Sequence, residues 1–147
     1  MVYRIRNFLF YNVALFGALI LNLAAVHAAT YEIAPPGQTS SSDKIWPSLD
    51  ALLDAGIVQG GDEIVLRPGM YGDMKVANAK FESPVTIRPA RDGAVQMTTL
   101  RVTKSSNLIF DGLQVWPETA GKGHLIRTEG SARGIVFRNM DIRGRKD

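Results

Sequence analysis

Asn107-Leu-Ile-Phe-Asp-Gly-Leu-Gln-Val115 returns without a gap as Gly134-Ile-Val-Phe-Arg-Asn-Met-Asp-Ile142. The offset is 27 residues, so Leu108, Phe110, Leu113 and Val115 fall on Ile135, Phe137, Met140 and Ile142. In each copy two runs place apolar residues at alternate positions, the period of a strand. Gly112 or Asn139 divides the runs, and these residue types tolerate a left-handed backbone at a sharp corner. Short strands joined by tight corners and repeated at this interval describe a coil that stacks its apolar positions on the next one. That is the signature of a parallel β-helix. An ordinary antiparallel β domain with a coincidental match is the competing possibility.

The same period runs through the neighbouring sequence. Glu63-Ile-Val-Leu66, Met74-Lys-Val76, Val85-Thr-Ile-Arg88, Leu100-Arg-Val102 and His124 to Arg127 are all short runs of this kind. Val85 to Arg88 lies 28 positions before Leu113 to Trp116, which would extend the register upstream. Only one stretch has helical spacing. In Pro47 to Gly56, Leu49, Leu52 and Leu53 share a face, with Pro47 near the start and Gly56 just past the end. A short N-terminal helix over Pro47 to Ala55 is expected there, covering one end of the coils. Ahead of it, Pro35 to Asp43 is rich in Pro, Gly and Ser, so residues 29–45 read as a lead-in loop.

The first residues have a different character. Arg4 and Arg6 precede a mainly apolar stretch from Phe8 to Leu23, and Val26-His27-Ala28 presents the small residues a signal peptidase reads. Residues 1–28 are therefore expected to be a signal peptide, cleaved after Ala28 or Ala29. An uncleaved membrane anchor is the alternative, which Asn12 and Asn22 weaken. Losing this segment removes two arginines and no acid, so the formal charge falls from +3 to +1. A balance this close to neutral argues against nucleic acid as partner, and no membrane contact is expected after cleavage. The absence of cysteine excludes a disulfide scaffold, a thiolate metal site and a thiol nucleophile. Export without disulfides fits a bacterial periplasm or outer surface.

With these residues in view, Trp46 to Pro117 resembles the N-terminal end of right-handed parallel β-helix polysaccharide lyases of the chondroitinase-B and alginate-lyase type. The resemblance is carried by the helix, by Gly61-Asp-Glu-Ile-Val-Leu-Arg-Pro-Gly-Met-Tyr71, by Ser83-Pro-Val-Thr-Ile-Arg-Pro89 and by Asn107-Leu-Ile-Phe-Asp-Gly-Leu113. It implies an all-β fold, a right-handed parallel β-helix spanning residues 46–147 with a capping helix. It also implies relatives that cleave uronic-acid glycans by β-elimination, in some cases with calcium. Their catalytic lysine and arginine and their calcium ligands lie on later coils than those before Asp147, so no catalytic residue can be carried over. The chain is expected to lack the catalytic coils and to have no cofactor of its own. A non-catalytic glycan- or protein-binding solenoid of the cell envelope, or a truncated fragment, are the alternatives.

Candidate binding residues come from the outward positions. If Leu100 and Val102 stack beneath Ile126 and Thr128, Arg101 and Arg127 project together, with Leu125 facing out. Planar, permanently charged guanidinium groups suit carboxylate or sulfate, so these two arginines are the candidate substrate-binding residues for an acidic polysaccharide, a solvated face with incidental salt bridges being the alternative. A second column would run through Arg88, Trp116 and Arg143, and Asp111 would pair with Arg138 one coil on. Lys122 and His124 lie in the connection after Pro117. Asp73, Asp92, Asp111 and Asp141 show no spacing that gathers calcium ligands. Glu63, Glu118 and Glu129 form no carboxylate pair at a defined separation. Ile135, Phe137, Met140 and Ile142 are expected on an open final coil, where they would favour self-association.

Overall fold

The computed structural model describes residues 28–38, 45–91, 93–117 and 123–144. In chain order the elements are β1 (Thr30–Ile33), β2 (Ile45–Trp46), α1 (Leu49–Asp54), β3 (Glu63–Leu66), β4 (Gly69–Met70), β5 (Asp73–Ala77), β6 (Lys80–Pro89), β7 (Val95–Met97), β8 (Thr99–Thr103), β9 (Ser106–Asp111), β10 (Gln114–Val115), β11 (Ile126–Glu129), β12 (Arg133–Arg138) and β13 (Asp141–Ile142). The protein is mostly β. From β3 onward the chain visits three sheets in rotation: β12-β9-β6-β3-β1-β2, β13-β10-β7-β4 and β11-β8-β5. The strand pairs are parallel, so from β6 onward each strand lies on the one three places earlier.

Alternation decides which side chains turn inward. On the first sheet Ile64, Ile87, Phe110 and Phe137 stand in register. The last two rings stack with centroids 5.4 Å apart and planes inclined by 18°. Val95, Met97 and Val115 come in from the second sheet and Met74, Val76, Leu100 and Val102 from the third, forming one buried cluster with Leu108 and Leu113. Each such side chain contributes roughly 1.5–3 kcal/mol through burial, so the stacked columns are what hold the coils together.

The corners follow from backbone chemistry. Gly112 and Asn139 have φ of 70° and 52°, the left-handed region expected of them. Gly134 also has a positive φ, 63°. There a Cβ would lie 2.5 Å from Asn107 Oδ1, so this strand can come this close to its neighbour only as glycine. Asn107 in turn holds a bulge. β6 pairs Lys80 with Ser106 and Val85 with Leu108, so residues 81–84 stand against Asn107 alone. Its amide donates to Phe81 O at 2.7 Å and to Glu82 O at 3.3 Å.

α1 buries Leu49 and Leu52 and contacts β2 and β5. It is shorter than the spacing predicts, because Ser48 is extended and its Oγ accepts from Ala51 N at 3.1 Å, which caps the helix after Pro47. Three further expectations are corrected. Residues 29–45 are not all loop: β1 lies between β2 and β3, with Ile33 fully buried and Tyr31 half-buried. Its pairing partners are distant in sequence, so no local window marks it. Val85 faces Leu108, not Leu113. One short alternating run matches another at many offsets, and the bulge in β6 resets the spacing. The expected strand from His124 is Ile126–Glu129, and Leu125 before it is half-buried against the core instead of facing out. Of the final coil, Ile142 is exposed while Ile135, Phe137 and Met140 are half-buried.

Candidate functional site on the third sheet

β5, β8 and β11 share one alternation. Met74 pairs with Leu100 and Leu100 with Ile126 on the inner side, so the residues between them point outward in register. Lys75 faces Arg101, and Arg101 faces Arg127. All three are exposed. The structure thus brings the two expected arginines together and adds a third cation. Lys75 is legible in the sequence, because Met74-Lys-Val76 precedes Leu100-Arg-Val102 by the same 26 positions that separate Arg101 from Arg127. Paired parallel strands lie about 4.8 Å apart, and like charges directly opposite one another destabilise a sheet. The column therefore has an electrostatic cost in the free protein.

Two carboxylates flank it. Asp73 Oδ1 accepts from Thr99 Oγ1 at 2.7 Å. Glu129 Oε1 lies 2.7 Å from Arg127 Nε and 3.7 Å from Arg101 Nε. Neither guanidinium N–H is aligned on that oxygen, so Glu129 acts as a shared counter-charge and is not a hydrogen-bonded clamp. Among the described residues Lys75 is in no ion pair.

The other candidates are already engaged. Arg143 lies over the Trp116 ring, 4.2 Å from its centroid, and donates twice to Asp141, at 2.9 and 2.7 Å. That pairing holds the Asp141 carboxyl below its ordinary range. Arg88 does not join them: it bonds Glu63 Oε2 at 2.8 and 3.2 Å on the first sheet, because Val85 has a different partner from the one expected. Asp111 does pair with Arg138, at 2.9 Å, and also accepts from Asn139 Nδ2 at 2.7 Å. The Asn139 bond, followed by Arg138, lowers its pKa. Tyr71 Oη shares its proton between Arg67 O at 2.9 Å and Ile33 O at 3.0 Å, and burial pushes its pKa up to about 12. It ties β1 to the turn after β3.

His124 is exposed. Lys122, Glu118 and Asp92 lie outside the described residues. Among the described residues no three of His, Asp and Glu are grouped to hold a metal ion. A pocket of about 320 Å³ lies between α1 and the β5–β6 corner, with Leu53, Val58, Asn78 and Phe81 in its wall and Asp54 and Lys80 as its charged groups. Comparison with protein-family models, with curated proteins and with solved structures finds no match to this chain.

Proposed function

We propose that this chain is an exported right-handed parallel β-helix protein of the bacterial periplasm or cell surface, related to polysaccharide lyases. On this view α1 caps one end of the coils, and Lys75, Arg101 and Arg127 hold an acidic polysaccharide without cleaving it. What supports binding is the register: three exposed cations stand on successive strands, with Glu129 as counter-charge to the two arginines alone. A polyanion that supplies carboxylates or sulfates along the column relieves the repulsion between them. Turnover would need a group free to take the proton α to the sugar carboxylate. On this face Asp73 is bonded to Thr99 and Glu129 is engaged by both arginines, which among the described residues leaves Lys75 as the one group for the absorbance assay to test as a base.

Exposed ion pairs are worth roughly 0.2–1 kcal/mol each, so binding is weak and depends on several contacts along one polymer. It is also salt-sensitive, because screening acts over about 8 Å at physiological ionic strength. The test is to incubate the protein with alginate, chondroitin or pectate, with and without calcium. Binding and the ultraviolet absorbance of the unsaturated uronate that elimination creates are both followed. Retention of acidic but not neutral glycans, lost in the double variant Arg101→Ala with Arg127→Ala and without growth of absorbance, supports the proposal. Steady growth of absorbance overturns the non-catalytic part, and binding unchanged in the double variant overturns the site.

A further inference from the structure

Asp62 is 3% exposed, and among the described residues no cation pairs with it. Burying a carboxylate without a counter-charge is costly. Two backbone donors partly offset that cost: Gln59 N reaches Oδ2 at 2.7 Å and Ala29 N reaches Oδ1 at 2.7 Å. Ala29 O also accepts from Glu63 N at 2.8 Å, so residue 29 is held at both its polar atoms immediately before β1 begins. Ala28, one residue earlier, is exposed.

These are the residues at which the leader is expected to be cut, and the two candidate cuts leave different groups against Asp62. Hydrolysis of the Ala28–Ala29 peptide bond consumes one water. Its hydroxyl goes to the Ala28 carbonyl carbon and its hydrogen to Ala29 N, which then takes up a proton to become an α-ammonium. The atom already 2.7 Å from Oδ1 thereby gains a positive charge. Hydrolysis one residue later would remove Ala29 altogether, stripping Asp62 Oδ1 of its donor and Glu63 N of its acceptor. We propose that Ala29 is the first residue of the mature protein and that its α-ammonium forms a buried ion pair with Asp62, locking β1 into the first sheet. An opposite charge at this distance favours the charged amine, and a charge-assisted hydrogen bond replaces an ordinary one.

The inference rests on export with cleavage and is independent of glycan binding. The full chain is expressed in a bacterium, and the N-terminus of the exported product is read by mass spectrometry and sequencing. Its α-amine is then labelled with an amine-reactive reagent at neutral pH in the native protein, in Asp62→Asn and in denatured wild type. The expected result is Ala29 at the N-terminus, labelled about tenfold or more slowly in the native protein than in the denatured one. Asp62→Asn is expected to label near the denatured rate. The native-to-denatured comparison stands even if that variant does not fold. An N-terminus at Thr30 overturns this inference while leaving export intact, and a retained leader overturns both. Ala29 labelled as fast in the native protein as in the denatured one overturns the ion pair.

Discussion

The outer faces of the first and third sheets are built alike and charged differently. On the first sheet three cations meet acids on neighbouring coils: Glu32 with Arg67 at 3.1 Å, Glu63 with Arg88 at 2.8 Å, Asp111 with Arg138 at 2.9 Å. On the third, Lys75, Arg101 and Arg127 stack on one another, and Glu129 serves two of them. Parallel stacking places residues of successive coils opposite one another in both cases. On the first sheet two of the pairs are diagonal, since Arg88 stands opposite Val65 and reaches Glu63 two positions away, whereas on the third sheet the cations stand directly opposite one another.

Four experiments break or sharpen that contrast. Reversing both arginines of the third sheet, Arg101→Glu with Arg127→Glu, is expected to weaken binding to an acidic glycan by about 30-fold or more. The matching reversal on the first sheet, Arg67→Glu with Arg138→Glu, changes it less than about threefold. Titration of both variants against one alginate preparation checks this. Gly134→Ala strikes the frame of the first sheet and not its charges. Its added methyl meets Asn107 and its backbone is in the left-handed region, so thermal unfolding should show a loss of about 1–3 kcal/mol. Glycan binding per folded molecule should be retained.

Smaller effects come from the acids. Glu129→Gln removes the shared counter-charge and should strengthen glycan binding by about two- to fivefold, whereas Asp111→Asn should leave it unchanged. The last experiment uses pH. The folded-state pKa of Asp111 lies below its ordinary value of 3.8. Its ionised form is therefore favoured by folding, and its contribution is present above that value and lost as pH falls through the lowered one. Unfolding followed by circular dichroism should decline less on acidification in Asp111→Asn than in the wild type.

Much of this was legible in the chain itself. The 27-residue offset predicted the pairing of Leu108 with Ile135 and of Phe110 with Phe137, as observed. It worked because both copies carry the same apolar alternation and the same kind of corner residue with no insertion between. The Arg101–Arg127 register was legible for the same reason, and Lys75 would have followed from one more step upstream. Where the coils differ in length, a fixed offset no longer identifies the paired residues. Val85 was assigned the wrong partner because four residues bulge from β6 against Asn107, and Arg88 was thereby placed beside Trp116 when it is bonded to Glu63.

By itself, then, the sequence determined the strand period, the corners, the stacking of the last two coils and the pairing of Arg101 with Arg127, since each follows from residue types at fixed short spacing. Only the tertiary structure decided that Thr30–Ile33 is an interior strand, that Leu125 turns toward the core and that Asp62 is buried against Ala29 N. Each of these depends on what lies on the neighbouring coil. Strand pairing at long separation is made by backbone hydrogen bonds, which the sequence announces only where a side-chain repeat marks both partners, as in the last two coils and not at Thr30–Ile33.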